Sequence, residues 1–143
     1  MLEIRKMQEE DLKEVAAIEA ACFSMPWSEK GFGDAIARRD TLYLCALEDG
    51  KVAGYCGLWQ SFEEADITNV AVREESRNRH VGRAMLEKLM ELGRDQGITA
   101  FTLEVRAGNA PAIKLYENLG FHSAGIRKNF YEKPTEDAVI MWT

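Results

Sequence analysis

The chain has 143 residues, 46% of them apolar and 29% charged, which suits one globular domain over 1–143 and is too little for two good cores. Eighteen basic against twenty-four acidic side chains leave a formal charge of -6. That balance argues against a general nucleic-acid coat, though a local basic pocket or a basic partner remains compatible with it. No stretch reads as a signal peptide or membrane span, so the expectation is a cytoplasmic protein that binds neither membrane nor nucleic acid.

Leu2, Ile4 and Met7 begin a short strand. EEDLKEVAAIEAACF then places Leu12, Val15, Ile18 and Cys22 at helical spacing, with acidic residues in the first turn where the helix dipole favours them. Pro26 ends any helix, and Ser28 is placed to cap a second one running through Ala35 and Ile36. LYLCALEDGKVAGYCGLW reads as two strands joined by Asp49-Gly50, a dipeptide that tolerates the positive φ of a two-residue hairpin turn. Strand parity is read as placing Cys45 and Cys56 on one hairpin surface. Glu63 and Glu64 mark the next turn, and ADITNVAV makes a third strand.

In RNRHVGRAML a basic turn opens a helix with Val81, Met85, Leu89 and Leu92 on one stripe and Arg83, Glu87 and Glu91 opposite, ending near Gly97. ITAFTLEV is a strand again, so strand, helix and strand follow one another between residues 65 and 105 and predict a right-handed crossover with a parallel pair. Asn109-Ala110-Pro111 opens another helix that Gly120 closes. Phe121 to Tyr131 and Asp137 to Trp142 supply two closing strands. The predicted fold is α/β: a mixed sheet with an antiparallel meander, one parallel crossover and a C-terminal hairpin.

Ligands of such sheets sit beyond strand carboxyl ends, beside a helix N-terminus, which points to the turn after Val72. A pyrophosphate there could accept from backbone N–H groups of about Asn78 to Ala84, with Arg77, Arg79 or Arg83 as charge partners. Neither a Walker loop nor the dinucleotide Gly-x-Gly-x-x-Gly pattern is present. On these residues alone a solvated basic helix start is the favoured reading. His80 and His122 are too few for zinc, and no metal is expected. Cys22, Cys45 and Cys56 lack a Cys-x-x-Cys spacing and read as buried thiols of a reducing compartment.

Residues 69 to 86 resemble motif A of the GCN5-related N-acetyltransferases (GNAT), whose Arg/Gln-x-x-Gly-x-Gly/Ala turn cradles the pyrophosphate of acetyl-coenzyme A. Here it reads Arg77-Asn78-Arg79-His80-Val81-Gly82, with His80 at the first family glycine. LEVRAGNAPAIKLYENLGF, Pro26-Trp27-Ser28-Glu29-Lys30 and IRKNFYEKPTEDAVIM are similar to the bacterial ribosomal-protein alanine N-acetyltransferase branch, so the resemblance covers nearly the whole chain.

The resemblance implies a single GNAT-like domain built around the coenzyme-binding helix. Acetyl-coenzyme A would be the co-substrate, with no metal, and the acceptor the N-terminal alanine of a ribosomal protein tail. It implies coenzyme contacts from Asn78, Arg79, His80, Val81, Gly82, Arg83 and Asn109, and oxyanion donors from the backbone of Val70, Ala71 and Val72. Glu104 becomes the base that frees the amine, directly or through water, and Tyr116 the acid that protonates the departing thiolate. Trp27 and Tyr131, the latter in Asn129-Phe130-Tyr131, are expected to wall the acceptor groove.

Bland alternatives stand beside each role: Glu104 paired with Arg106 on the same strand face, Tyr116 a core tyrosine with a satisfied hydroxyl, Asn109 a simple helix cap. Direct transfer in a ternary complex is preferred to an acyl-cysteine, since no thiol has an obvious activating partner. The other functions considered are acetylation of small amines or polyamines and a non-catalytic acetyl-coenzyme A sensor.

Overall fold

The computed structural model describes residues 1–143. Strand β1 (Leu2–Lys6) leads through a short 3-10 turn into helix α1 (Leu12–Cys22), and α2 (Glu29–Ala37) follows a six-residue loop. The meander is β2 (Thr41–Glu48), β3 (Lys51–Ser61) and β4 (Glu64–Val72). Helix α3 (Val81–Asp95), β5 (Ala100–Arg106), α4 (Ala110–Asn118), β6 (His122–Tyr131) and β7 (Glu136–Trp142) complete the chain. The sheet order is β1-β2-β3-β4-β5-β7-β6, with β4 and β5 the parallel pair.

Local signals act where the sequence places them. The Ser28 hydroxyl caps α2 by accepting from Gly31 N–H at 3.0 Å. Asp49 and Gly50 both take positive φ, 52° and 83°, in the β2–β3 turn. The next turn is made by Phe62 and Glu63, because Glu64 already belongs to β4. Residues on the two sides of the sheet form two cores. Val81, Met85, Leu86 and Leu89 of α3 are buried with Leu44, Cys56 and Phe101 on one face. Val15 and Phe32 of α1 and α2 are buried with Tyr43, Cys45 and Tyr55 on the other. Each such side chain contributes about 1.5–3 kcal/mol relative to exposure, so the two helical layers hold the sheet from both sides. Cys45 and Cys56 therefore face opposite cores rather than one surface: Cys56 pairs in register with Leu44, which offsets it by one residue from Cys45.

The feature that makes a site is where pairing stops. Strands β4 and β5 are matched only from Glu64 with Ala100 to Asp66 with Thr102. Beyond those residues the strands part, and the edges Ile67–Val72 and Leu103–Arg106 face each other across a gap. A β-bulge at Gly57/Leu58 leaves Thr68 as the extra residue in β4 and sharpens the divergence. No helix is long and apolar enough to cross a membrane.

Candidate active site

The gap opens into a cleft of about 750 Å³ whose walls include Trp27, Asn69, Glu104, Asn109, Tyr116 and Tyr131. Alternation along β5 turns Leu103 and Val105 into the α3 core and leaves Glu104 and Arg106 half-buried on the opposite face. The cleft thus passes between the strands, with Tyr116 reaching it from the α3–α4 side and Glu104 from the α1–α2 side.

Glu104 does not pair with Arg106. Its carboxylate lies 3.5 Å from the Arg127 guanidinium, which reaches across β7 from β6. Arg106 is spent on the β6–β7 turn: it meets the Glu136 carboxylate at 3.2 Å, donates to the Pro134 and Glu132 carbonyls, and lies 4.5 Å over the Tyr131 ring. Arg106 thereby holds Tyr131 against the cleft. Burial pushes the Tyr131 phenol up to about 12, and the nearby Glu104 carboxylate adds to the shift.

Tyr116 is 7% exposed and packs edge-on against Phe121, with ring centres 5.9 Å apart. Its ring is core, as the bland alternative predicts, but its hydroxyl has no protein partner and keeps access to the cleft. Burial raises its pKa well above the usual phenol value, so it stays protonated at working pH. A partnerless, protonated donor at the cleft is what a leaving thiolate requires.

On β4, Arg73 sends its N–H to the Ala53 carbonyl of β3, so alternation turns the amides of Val72 and Val70 toward the gap and that of Ala71 toward β3. Of the three residues expected as oxyanion donors, Val70 and Val72 have the required direction and Ala71 does not. The Val72 carbonyl accepts from Arg77 Nε at 3.0 Å. Another nitrogen of that guanidinium lies 3.3 Å from Cys22 Sγ, so Arg77 braces the end of β4 to α1.

The turn before α3 leaves backbone donors free at a helix start. No side chain caps α3 and no acidic residue stands in its first turn, which leaves the N–H groups at its positive end without an internal partner. Asn78 and His80 adopt left-handed φ of 65° and 62°. Arg79 is 64% exposed and only loosely held, 3.6 Å from Glu48, and Arg83 lies along the helix beside Glu87. His80, at the position of the first family glycine, takes a left-handed φ that glycine would adopt without the cost of a Cβ. His80→Gly is expected to raise Tm by about 2–4 °C, since relief of about 1–2 kcal/mol outweighs glycine's extra unfolded freedom. A thermal melt checks this, and an unchanged or lower Tm would show that the imidazole contributes contacts worth as much as the strain.

Trp27 and Tyr131 both border the cleft, with Phe130 beside Tyr131. Asn129 does not; its N–H goes to Asp137 in the bulge that turns Phe130 and Tyr131 inward. Asn109 caps α4 through Ala112 N–H at 3.3 Å and also lines the cleft, so cap and contact are compatible.

Glu19 was not expected here. Buried to 3% exposure, its two oxygens accept from Tyr55 Oη at 2.5 Å and from Trp27 N–H at 3.0 Å, fastening the loop between α1 and α2 to the sheet. The signal was available: Glu19 follows Val15 by four residues and Leu12 by seven, so a carboxylate sits in the apolar stripe of α1. Nothing in the sequence marks Arg127, whose pairing depends on strand order.

Of the three thiols expected to be buried, two are, whereas Cys22 is half-buried at the cleft wall beside Arg77 because the end of α1 borders the gap. Burial pushes Cys45 up to about 12 and Cys56 higher still, which keeps both as thiols. No grouping of three or more His, Cys, Asp or Glu side chains could hold a metal.

Residues 12–121 match the family model described as Acetyltransferase (GNAT) family, and the chain belongs to that family. GNAT acetyltransferases use acetyl-coenzyme A as acetyl donor, and the uncapped α3 terminus, the exposed Arg79 and the cleft beyond β4 suit its pyrophosphate and pantetheine arm. The chain is 39% identical over 142 residues to the ribosomal protein bS18-alanine N-acetyltransferase of Escherichia coli K12, covering 96% of this chain and 94% of that one. It is 41% identical over 136 residues to the Salmonella typhimurium LT2 protein of the same name, covering 92% and 89%. The crystal structure of the ribosomal-protein-S18-alanine N-acetyltransferase from Escherichia coli superposes with a TM-score of 0.92 at 37% identity, covering 99% of this chain and 92% of that chain.

Proposed function

We propose that the protein transfers the acetyl group of acetyl-coenzyme A to the α-amino group of an N-terminal alanine on a ribosomal protein, bS18 by the names of its relatives, in the cytoplasm. The observation that carries this reading is the single cleft between β4 and β5, with the Glu104 carboxylate on one face and the partnerless Tyr116 hydroxyl on the other. Similarity to relatives named for that acceptor supports the choice of substrate. A net charge of -6 also suits a basic ribosomal tail.

The residues divide the work by position. Backbone N–H groups at the start of α3, with Arg79 and Arg83 nearby, hold the pyrophosphate, and Asn109 steadies the arm that runs along β4. The acceptor tail enters from the other face between Trp27 and Tyr131. Glu104 takes a proton from the α-ammonium, directly or through water. The freed nitrogen attacks the thioester carbonyl, forming the N–C bond, while the Val70 and Val72 N–H groups donate to the developing oxyanion. Collapse breaks the C–S bond, Tyr116 gives its proton to the leaving sulfur, and the nitrogen sheds its second proton to water, from which Tyr116 regains its own. Both substrates are bound at once, so no acyl-cysteine is needed.

The test is the mass of an Ala-initiated peptide of the bS18 terminus after incubation with enzyme and acetyl-coenzyme A, beside the same peptide with a blocked N-terminus. A gain of one acetyl group on the free peptide alone is expected. Acetylation of polyamines in preference to the peptide would overturn the acceptor, and no transfer to any amine would overturn the enzyme.

A further inference from the structure

Tyr43, Gly57 and Asn69 stand in register across β2, β3 and β4. A Cβ at Gly57 would collide with the Tyr43 ring, so the absence of a side chain there lets the ring lie across β3 toward β4. Its hydroxyl then donates to Asn69 Oδ1 at 3.0 Å and lies 3.0 Å from Thr68 Oγ1, the extra residue of the bulge. With Oδ1 engaged, the amide of Asn69 is fixed in one orientation. Asn69 is 8% exposed and lines the cleft, yet no protein acceptor meets its Nδ2. Asn69 is therefore nine-tenths buried as a residue, while its Nδ2 is left accessible from the cleft without a protein partner, on the α1–α2 side shared by Glu104 and Trp27 and not on the side of Tyr116.

We infer that Asn69 Nδ2 donates to the carbonyl oxygen of the first peptide bond of the acceptor, and so selects an aminoacyl chain over a simple amine. This rests on the acceptor reading above. A peptide terminus carries a carbonyl carbon two bonds from the α-nitrogen, whereas a polyamine offers only methylene there. When Glu104 holds the amine, the donor on the facing strand meets that carbonyl. Once a bound acceptor covers the cleft, Nδ2 loses water, and a donor buried then without a carbonyl to meet is penalised, so an acceptor lacking the carbonyl binds poorly. The Tyr43 hydroxyl acts as a positioning group for the amide, and Gly57 makes room for it.

The experiment is a cycle of two enzymes and two peptides. One peptide is the Ala-initiated bS18 terminus; the other carries an E-alkene in place of its first peptide bond. Wild type is expected to show a KM about tenfold higher on the alkene peptide, and Asn69→Ala to show KM raised about tenfold on the normal peptide with no further penalty from the alkene. Its kcat and its calorimetric affinity for coenzyme A should stay within about threefold of wild type, which a misfolded site would not allow. Tyr43→Phe, which keeps Asn69 but releases its carbonyl, should reduce the alkene penalty and carries the same cycle if Asn69→Ala does not fold. An alkene penalty equal in variant and wild type, or a loss confined to kcat, would overturn the assignment. Failure of wild type to acetylate the normal peptide would instead remove the acceptor reading, and the role of Asn69 with it.

Discussion

Glu104→Gln lowers kcat by about 10²–10³-fold below pH 7, the range associated with loss of a positioned base. The α-amino group of a peptide has an ordinary pKa of about 7.7–8.0, so at pH 6 only a percent or so is free to attack. The base matters most there. Above about pH 8.5 the amine is largely deprotonated in solution, and the penalty should shrink by at least an order of magnitude. The ratio of wild-type to variant kcat across pH 6 to 9 is the measurement. A ratio constant with pH would assign Glu104 to holding the tail rather than taking its proton. Stability should hardly change, because the pair with Arg127 is 3.5 Å long with the guanidinium 57% exposed, and such pairs contribute little.

Tyr116→Phe should lower kcat by about 10²-fold while coenzyme A binds with affinity near that of wild type. Only a hydroxyl is removed, and it makes no hydrogen bond within the protein, so its loss leaves no buried group unpaired. The ring still packs on Phe121. Tm is therefore expected to stay within about 2 °C, a small ΔΔG for a domain of this size. Stopped-assay turnover and coenzyme A calorimetry on the same preparation separate the two effects. Unchanged turnover would return Tyr116 to the core and leave the thiolate to depart unprotonated.

The two variants are expected to differ in pH response. Glu104 acts on the acceptor before attack, where amine protonation is the obstacle, and its effect follows the amine. Tyr116 acts on the departing sulfur, and burial holds its proton well above the working range, so its effect should be nearly flat between pH 6 and 9. A double variant that loses no more than Glu104→Gln alone would mean that both groups serve one step.

Much of the architecture follows from short-range rules. Asp49-Gly50 names its turn, Ser28 and Asn109 name their helix starts, and the stripe through Val81, Met85 and Leu89 names the buried face of α3. These devices act through backbone φ, capping and period 3.6, all of which are local. The parity of Cys45 and Cys56 misled because both positions alternate within their own strands, while the register that relates them belongs to the pair.

The sequence by itself determined one α/β domain, the order of its elements, the basic turn from Arg77 to Gly82 at a helix start, and the resemblance that singled out that turn, Glu104 and Tyr116. Tertiary structure alone decided which charges meet: Arg127 at Glu104, Arg106 at Glu136, and Glu19 beneath Trp27 and Tyr55. It also decided that Asn69 faces the acceptor side, because the bulge at Thr68 breaks the alternation that would place Ile67 and Asn69 on one face. The reason is physical. Turns and caps are satisfied by neighbours in the chain, whereas a cleft forms where two strands stop pairing, and its chemistry depends on side chains that register, strand order and a bulge bring together from distant segments.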